Sequence, residues 1–508
     1  MKQLIVFAFI ALSFTTYSQK IKIKVADEKD TTVFLIKYYG KNLLYADTAE
    51  MKNGIVEFNG KKQKPGIVGL LLPGQRYFEF IYNNEEIQLE TKGPDFMKNM
   101  KVKKSVENTI FNDYIEFIST QRSKVNEYVS QRDQFKKEDP QYVSWGNKID
   151  SISKKVTDYQ NDLVAKHQDK LVSKIVKMSM DIKIPESPKK EDGTPVDPDF
   201  AYHYFREHYF DNIDLKDDRL VNTPIFHNKL DYFFSDKMLM QHPDTITKYA
   251  FIFCDKLDQK SEMFKYSVTH ITSTFEKSKI MGMDKVFVKM GERYYCAKNA
   301  EDKPVAYWMS EDKLKDLCDK VNVNKNLVQG VRPPNITLRD TTDVNWRDFY
   351  SLKSDYTILY FWEADCGHCK VSTPKLQKLY EEKLKARNVE VFGVSKAIGE
   401  DFDKWKKFIA KNKLTFINVG LTDKLFREAT EDARQFVPKY TSLEALNFQE
   451  TFDIASTPRL FILDKDKKII GKGLSISQLE DFMDRVQGVK DSPKVIVEDK
   501  ESDAKETH

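Results

Sequence analysis

The chain has 508 residues, of which 40% are hydrophobic and 31% are charged. That length exceeds what a single hydrophobic core supports, so we expect several domains. The 82 basic and 78 acidic residues leave a formal net charge of +4, and this near-balance gives no electrostatic indication of the concentrated basic surface that nucleic acid binding requires.

Residues 1–18 have the pattern of a secretory signal peptide. A basic start, Met1-Lys2, precedes an apolar stretch from Leu4 to Phe14 and a small polar segment ending at Ser18. The stretch is shorter than the roughly 20 residues of a membrane-spanning helix. We expect a periplasmic or otherwise exported protein that is soluble after cleavage and has no other membrane segment. An N-terminal anchor is the alternative if the segment is not cleaved.

Residues 19–104 are predicted to form a small β-rich domain. Short apolar or alternating runs are separated by turn signals such as Asn53-Gly54, Asn59-Gly60 and Pro73-Gly74. Regular short strands of this kind indicate a small antiparallel sandwich or barrel. No arrangement of side chains in this part suggests catalysis.

Residues 105–328 are predicted to form a helical domain. Apolar residues recur every three or four positions, as in a long amphipathic helix, at Ile149, Ile152, Val156, Tyr159 and Leu163. A similar series begins at Val106, which predicts a helical hairpin broken near Pro140. The polar stretch from Pro185 to Pro198 is expected to be a loop.

Residues 329–489 alternate between strand and helix patterns, which predicts an open α/β sheet. Strands are expected at 356–362, 389–394, 415–419, 459–463 and 469–472, and helices at 367–385, 401–411 and 477–486. Residues 490–508 are charged and poor in apolar residues, so we expect a disordered tail. The predicted fold class is therefore multidomain α+β.

The motif Cys366-Gly367-His368-Cys369 lies between a predicted buried strand and a predicted helix. Cys366 would stand at the helix N-terminus, where unpaired N–H groups and the helix dipole favour a thiolate. Cys369 would lie one turn further in, where it can resolve a mixed disulfide, and a protonated His368 would add a second stabilising charge. The spacing predicts a dithiol that cycles to a disulfide.

Three further cysteines are scattered through the helical part. Cys296 and Cys318 could pair with each other, although buried free thiols are the more common state of such cysteines, Cys254 included. The motif does not predict a structural zinc site, because the sequence has no second Cys or His pair at a suitable spacing. Haem attachment would require His at position 370, which is Lys370.

Downstream, Ser456-Thr457-Pro458 precedes the strand predicted at 459–463. With Phe361-Trp362 before the motif and Pro374 in its helix, residues 329–489 resemble the thioredoxin superfamily, especially its exported TlpA/ResA-like thiol:disulfide oxidoreductases. The segments ahead resemble, more weakly, uncharacterised modules that precede such domains in secreted Bacteroidota proteins. The resemblance implies a cis-proline facing the dithiol and a substrate-binding surface that comprises Trp362, Gly367, Thr457 and Pro458.

The resemblance also implies an enzyme that exchanges disulfides with exported, cysteine-containing proteins. The dithiol itself is then the redox group, with no bound cofactor or metal, and an upstream membrane electron carrier or thiol pool recharges it. Two alternatives are a thioredoxin-fold peroxidase, which the residues 361–365 disfavour, and a binding or scaffold protein with a vestigial thioredoxin domain.

Several residues depart from the family pattern and leave the direction of electron flow open. Tyr360 stands where thioredoxins carry a buried carboxylate, for which Glu363 is either a substitute or an exposed loop residue. Asp365 precedes the motif, and its charge is expected to oppose thiolate formation at Cys366. The Gly-His centre instead matches the protein disulfide isomerase type. Residues 421–448 are expected to form an insertion that covers or widens the substrate groove.

Overall fold

The computed structural model describes residues 19–496, so the predicted signal peptide and residues 497–508 lie outside the described part. The described residues form two compact units, one of residues 19–241 and 252–267 and one of residues 242–251 and 268–496. The helical segment predicted as one domain is thus divided between two units. Helical periodicity identifies a buried face, but it does not say which core that face joins.

The first unit contains the predicted β-rich part as two four-stranded sheets, ordered β4-β1-β7-β8 and β3-β2-β5-β6. Apolar residues from both sheets share one core, as in a sandwich. One strand pair differs from the antiparallel expectation, because β1 is parallel to β7. The strands are β1 Lys20–Ala26, β2 Thr31–Tyr39, β3 Asn42–Met51, β4 Ile55–Asn59, β5 Gly66–Leu72, β6 Arg76–Tyr82, β7 Ile87–Lys92 and β8 Lys101–Lys104.

The predicted helical hairpin is present as two 27-residue helices. Pro140 is the first residue of the second helix, and the Asp139 side chain accepts a hydrogen bond from the Gln141 N–H at 2.7 Å. The helices before residue 329 are α1 Val106–Arg132, α2 Pro140–Lys166, α3 Leu171–Ser179, α4 Phe200–His208, α5 Pro224–Phe233, α6 Pro243–Cys254, α7 Glu262–Glu276, α8 Asp284–Met290 and α9 Glu311–Asn324. Among residues 19–496, no helix combines the length and the hydrophobicity needed to cross a membrane.

The second unit contains a seven-stranded sheet in the order β10-β9-β13-β12-β11-β14-β15. Its centre is parallel, since β11, β12 and β13 run in one direction, and β14 and β9 flank it in the opposite direction. The strands are β9 Thr337–Asp340, β10 Trp346–Asp348, β11 Tyr356–Phe361, β12 Val389–Ala397, β13 Ile417–Thr422, β14 Arg459–Leu463 and β15 Ile469–Lys472. The helices are α10 Gly367–Leu379, α11 Asp401–Lys411, α12 Asp423–Asp432, α13 Leu443–Leu446, α14 Phe448–Thr451 and α15 Ile476–Val486.

Strand β11, which leads to the dithiol, is buried on both faces. Ile358 and Tyr360 point into one core, which α10 and α15 also line. Leu359 and Phe361 point into the other core, which receives Phe448 of the insertion. Covering on both faces explains why the strand is a continuous apolar run rather than an alternating one.

The predicted disordered tail starts too early by several residues. The carboxylate of Glu480 accepts hydrogen bonds from the N–H groups of Val495 and Ile496 at 2.9 and 3.0 Å, and Ile496 is buried. The expectation of disorder is therefore wrong for these residues. The charged composition concealed this contact, because the N–H partner is a buried carboxylate on α15, and Lys383 further binds the Pro493 carbonyl of the same segment.

Candidate functional site

The two motif cysteines lie at the start of α10, as their spacing predicts. Cys366 is the residue that caps this helix, and its sulfur accepts a hydrogen bond from the Cys369 N–H at 3.3 Å. Both cysteines are free thiols, Cys366 partly exposed and Cys369 fully buried. A protein substrate can therefore reach the first sulfur but not the second.

The loop before β14 completes the site. The Thr457–Pro458 peptide bond is cis, and the Cys366 thiol donates a hydrogen bond to the Thr457 carbonyl at 3.1 Å. These residues are 91 positions apart in sequence and meet because β14 pairs with β11 in antiparallel register. Thr457 and Pro458 are both partly exposed, so this backbone is open to an approaching chain beside the reactive sulfur.

The environment shifts the pKa values of the two thiols in opposite directions. Burial by itself raises the pKa of Cys366, but hydrogen bonds from the Cys369 thiol and from the backbone N–H groups of Cys369 and His368 outweigh it, so that the pKa is lowered overall. Burial raises the pKa of Cys369, and the thiol–thiolate hydrogen bond to Cys366 raises it further. This arrangement favours the thiolate at Cys366 over the thiolate at Cys369, with Cys369 as the protonated partner.

His368 contributes through its backbone. Its N–H lies at the N-terminus of α10 and faces the Cys366 sulfur, whereas its side chain is exposed to solvent. The thiolate stabilisation expected from this residue thus comes at least in part from the helix N-terminus. Gly367 is also exposed, and a Cβ at this position would have no atom within 4 Å outside its chain neighbours and the helix backbone.

Trp362 is placed differently from the expectation. The resemblance implied a substrate-binding role, but this side chain is fully buried, and its ring packs 5.2 Å from that of Phe408. A fully buried ring cannot contact a substrate chain, so that assignment is wrong. Trp362 alternates with Tyr360 and Ile358 into the same core, and this continuation of the strand period beyond β11 was the available signal.

Tyr360 occupies the interior next to the dithiol as a neutral group. It is fully buried, and its hydroxyl is 2.9 Å from the Thr373 hydroxyl on α10. Burial raises its pKa far above neutrality, and the neighbouring Cys369 and Cys366 raise it further. The phenol therefore stays protonated and cannot take the proton of Cys369, which must leave by another route.

The charge of Asp365, which was expected to oppose thiolate formation at Cys366, is compensated by a lysine. Its carboxylate forms an ion pair with Lys404 of α11 at 2.6 Å, and this lysine holds the pKa of Asp365 below its usual range. Lys404 also pairs with Asp401 at 3.0 Å. The expectation that Asp365 opposes the Cys366 thiolate did not include this compensating charge. Nothing in the sequence pairs residues 365 and 404.

Removal of the Lys404 charge should reveal the effect of Asp365. We expect Lys404→Met to raise the pKa of Cys366, because the uncovered carboxylate then disfavours a second negative charge. At a pH below that pKa, alkylation of Cys366 by iodoacetamide should slow by no more than about threefold, since exposed pairs act weakly. Lys406→Met is the matched control, because Lys406 pairs with Asp403 on the same helix. An unchanged or faster alkylation rate in Lys404→Met would contradict this account.

The insertion reaches the site from the other side of the sheet. Phe448 and Phe452 pack against Phe361 with ring centroids 5.9 and 5.0 Å apart. The Gln449 side chain then lies beside Glu363, with Nε2 to Oε1 at 3.5 Å. Glu363 is partly exposed, and its backbone N–H faces Cys369. Aromatic packing thus places the end of this segment and the residues just after it near Glu363, while its role in covering or widening the substrate groove stays a prediction.

Within residues 19–496, no group of three or more His, Cys, Asp or Glu side chains is arranged to hold a metal ion. The described part of the site thus consists of the two thiols, the N-terminus of α10, the Thr457–Pro458 backbone and the loop at residues 363–365. Cys296 and Cys318 lie elsewhere in the second unit and form a disulfide with each other. The structure thus has a disulfide between these two cysteines, and Cys254 is buried and takes part in no disulfide.

Three family models match this chain. Residues 354–469 match a model described as thioredoxin-like. Residues 19–111 and 147–324 match two models described as domains of unknown function, DUF4369 and DUF5106. No curated protein matches the chain.

Several solved structures are similar to parts of the chain. A domain of a possible thiol-disulfide isomerase from Cytophaga hutchinsonii is 32% identical, covers 32% of this chain and 97% of its own, and has a TM-score of 0.26. The thioredoxin domain of a thiol-disulfide oxidoreductase from Bacteroides vulgatus is 26% identical, with 30% and 97% covered and a TM-score of 0.24. A thioredoxin-like protein from Bacteroides caccae is 15% identical, with 59% and 97% covered and a TM-score of 0.40.

Proposed function

We propose that this chain, which belongs to the thioredoxin superfamily through residues 354–469 and is a thioredoxin-like oxidoreductase, exchanges disulfides with exported proteins through Cys366 and Cys369. The observation that carries the proposal is that the two thiols differ in exposure and in the direction of their pKa shifts. Cys366 is partly exposed with a lowered pKa, and Cys369 is buried with a raised one. The first is suited to attack and the second to resolution.

The reaction follows from these positions. The Cys366 thiolate attacks one sulfur of a substrate disulfide, so that the substrate S–S bond breaks, a mixed disulfide forms and the other substrate sulfur leaves as a thiolate. Cys369 then loses its proton and attacks the Cys366 sulfur, which forms the internal disulfide and releases the second substrate thiolate. Two electrons pass from the dithiol to the substrate, and each released thiolate takes up a proton. The same steps in reverse oxidise a substrate dithiol.

The Thr457–Pro458 backbone is the proposed contact for the substrate chain. It lies beside Cys366 and is partly exposed, and an extended substrate segment can pair with such backbone while its cysteine faces the sulfur. Gly367 leaves room for that approach. The dithiol is the redox group of this mechanism, and a membrane electron carrier or thiol pool would restore its starting state.

Export remains part of the proposal. It rests on the signal peptide pattern of residues 1–18 and suits a dithiol that acts on disulfide-containing proteins, because such proteins persist in oxidising compartments. Periplasmic location is checked by fractionation of cells that express the full chain. Retention of the protein with the cytosolic fraction would contradict this part.

The test of the roles is a trapping experiment. In Cys369→Ala the attack by Cys366 still occurs but resolution does not, so we expect mixed disulfides with partner proteins that dithiothreitol releases. Cys366→Ala is the matched control and should trap no partner through the motif, because the remaining motif thiol, Cys369, is buried. Equal trapping by the two variants, or none by Cys369→Ala from cells that express it folded, would contradict the assigned roles.

A further inference from the structure

The Cys296–Cys318 disulfide is more exposed than the buried thiols Cys254 and Cys369. It joins the residue that follows the π-helical turn Gly291–Tyr295 to the middle of α9. Cys296 is exposed and Cys318 is partly exposed, whereas Cys254 is fully buried. Cys296 thus lies on the solvent-exposed side of the disulfide, where a thiolate from solution would approach it. Exposed disulfides are the ones that exchange readily, while structural disulfides are usually protected.

Helix α9 does not depend on the disulfide alone for its position. Val321 of α9 belongs to a small buried cluster with Phe287, Val288 and Val328. Gly291 permits this close contact, since a Cβ there would lie 2.4 Å from the Val321 Cγ2. At the end of the helix, the Asn324 side chain donates a hydrogen bond to Asp453 at 3.2 Å. These contacts can keep the helix in place while the disulfide opens and closes.

We propose that Cys296–Cys318 is a second redox site of this chain, which the Cys366–Cys369 dithiol of a second copy reduces. The inference rests on the proposed dithiol chemistry and adds a substrate for it. Both reacting sulfurs, Cys366 and Cys296, are accessible on their own molecules, and a reaction between two molecules requires no fixed distance within one chain.

The electrons balance in two steps. The Cys366 thiolate of one molecule attacks the Cys296 sulfur of the other, the Cys296–Cys318 bond breaks, and Cys318 leaves as a thiolate that takes up a proton. Cys369 of the first molecule then loses its proton and attacks Cys366, which releases the Cys296 thiolate for protonation. The donor ends with a Cys366–Cys369 disulfide, and the acceptor ends with two thiols. No other reductant takes part.

The test uses two full-length variants that each contain one of the redox pairs. The donor is Cys296→Ser/Cys318→Ser, reduced with dithiothreitol and then freed of it. The acceptor is oxidised Cys366→Ala/Cys369→Ala. After mixing, acid quenching, alkylation and peptide mass analysis, we expect alkylated Cys296 and Cys318 in the acceptor and an equal loss of free Cys366 and Cys369 in the donor.

A second donor locates the attacked sulfur. The variant Cys296→Ser/Cys318→Ser/Cys369→Ala cannot resolve, and it should accumulate a Cys366–Cys296 link to the acceptor rather than a Cys366–Cys318 link. Each donor is also assayed against the small disulfide 5,5′-dithiobis(2-nitrobenzoate). A donor that reduces the small disulfide and leaves the acceptor oxidised overturns the second site alone. A donor that reduces neither also overturns the dithiol chemistry on which it rests.

Discussion

Replacement of Cys366 by Ser should reduce disulfide exchange to the uncatalysed rate. A hydroxyl at this position is not a nucleophile at neutral pH, and the remaining thiol of the pair is buried with a raised pKa. The measurement is the reduction of a protein disulfide by the full chain in the presence of dithiothreitol. Cys254→Ala is the matched control, because Cys254 is buried, outside the site and in no disulfide, and the activity of this variant should stay within about twofold of the unchanged protein.

The pH dependence of Cys366 alkylation follows from the same geometry. Because its pKa is lowered, the thiolate should persist to a lower pH than in an ordinary cysteine, whose pKa is about 8.5, and should be lost only as the pH falls through the lowered value. Cys369→Ala removes the thiol hydrogen bond and should move the midpoint upward. A Cys366 midpoint at or above that of an ordinary cysteine would contradict the stabilising role of the helix N-terminus.

Replacement of Lys383 by Met should destabilise the second unit by roughly 3–5 kcal/mol, the usual effect of leaving a buried charge without its partner. The Lys383 ammonium is buried and contacts Glu480 at 2.7 Å and Asp484 at 2.8 Å. We expect a corresponding decrease in the urea midpoint followed by tryptophan fluorescence. Lys385→Met is the control, since Lys385 forms an exposed pair with Glu381 and should change little.

The destabilisation caused by Lys383→Met should become smaller as the pH falls. Burial by itself raises the pKa of Glu480, but hydrogen bonds from Lys383 and from the Val495 and Ile496 N–H groups bring it below its usual range. A lowered carboxylate pKa stabilises the fold above the unfolded value of about 4.3 and stops doing so as the pH falls through the folded value. The difference between the unchanged protein and Lys383→Met should therefore shrink in acid. A difference that grows in acid would contradict the ion pair.

Local sequence patterns predicted the elements around the dithiol closely. The strands at Arg459–Leu463 and Ile469–Lys472 and the helix at Asp401–Lys411 have the expected bounds, because a proline, a turn or a change of period marks their ends. The helix after the motif was predicted to Lys385, but its regular α-helical part ends at Leu379, where a π turn begins. A change from α-helix to a π turn leaves the spacing of apolar residues almost unaltered, so the sequence pattern does not mark it.

Pairings between distant residues could not be predicted. Lys404 neutralises Asp365 across 39 positions, and Lys383 meets Glu480 across 97. Charged residues are common along this chain, so no pattern identifies which of them meet. The division of the helices between two units was missed for the same reason, since it is set by tertiary packing rather than by local propensity.

The tail held by Glu480 also determines where this unit can be cut. The thioredoxin-like match ends at residue 469, within β15, whereas α15 and Ile496 belong to the same buried core. A fragment cut at the match boundary would lose most of β15, all of α15 and three partners of Lys383, which are Glu480, Asp484 and the Pro493 carbonyl. Domain fragments and C-terminal labels that preserve the dithiol should therefore retain the chain at least to Ile496.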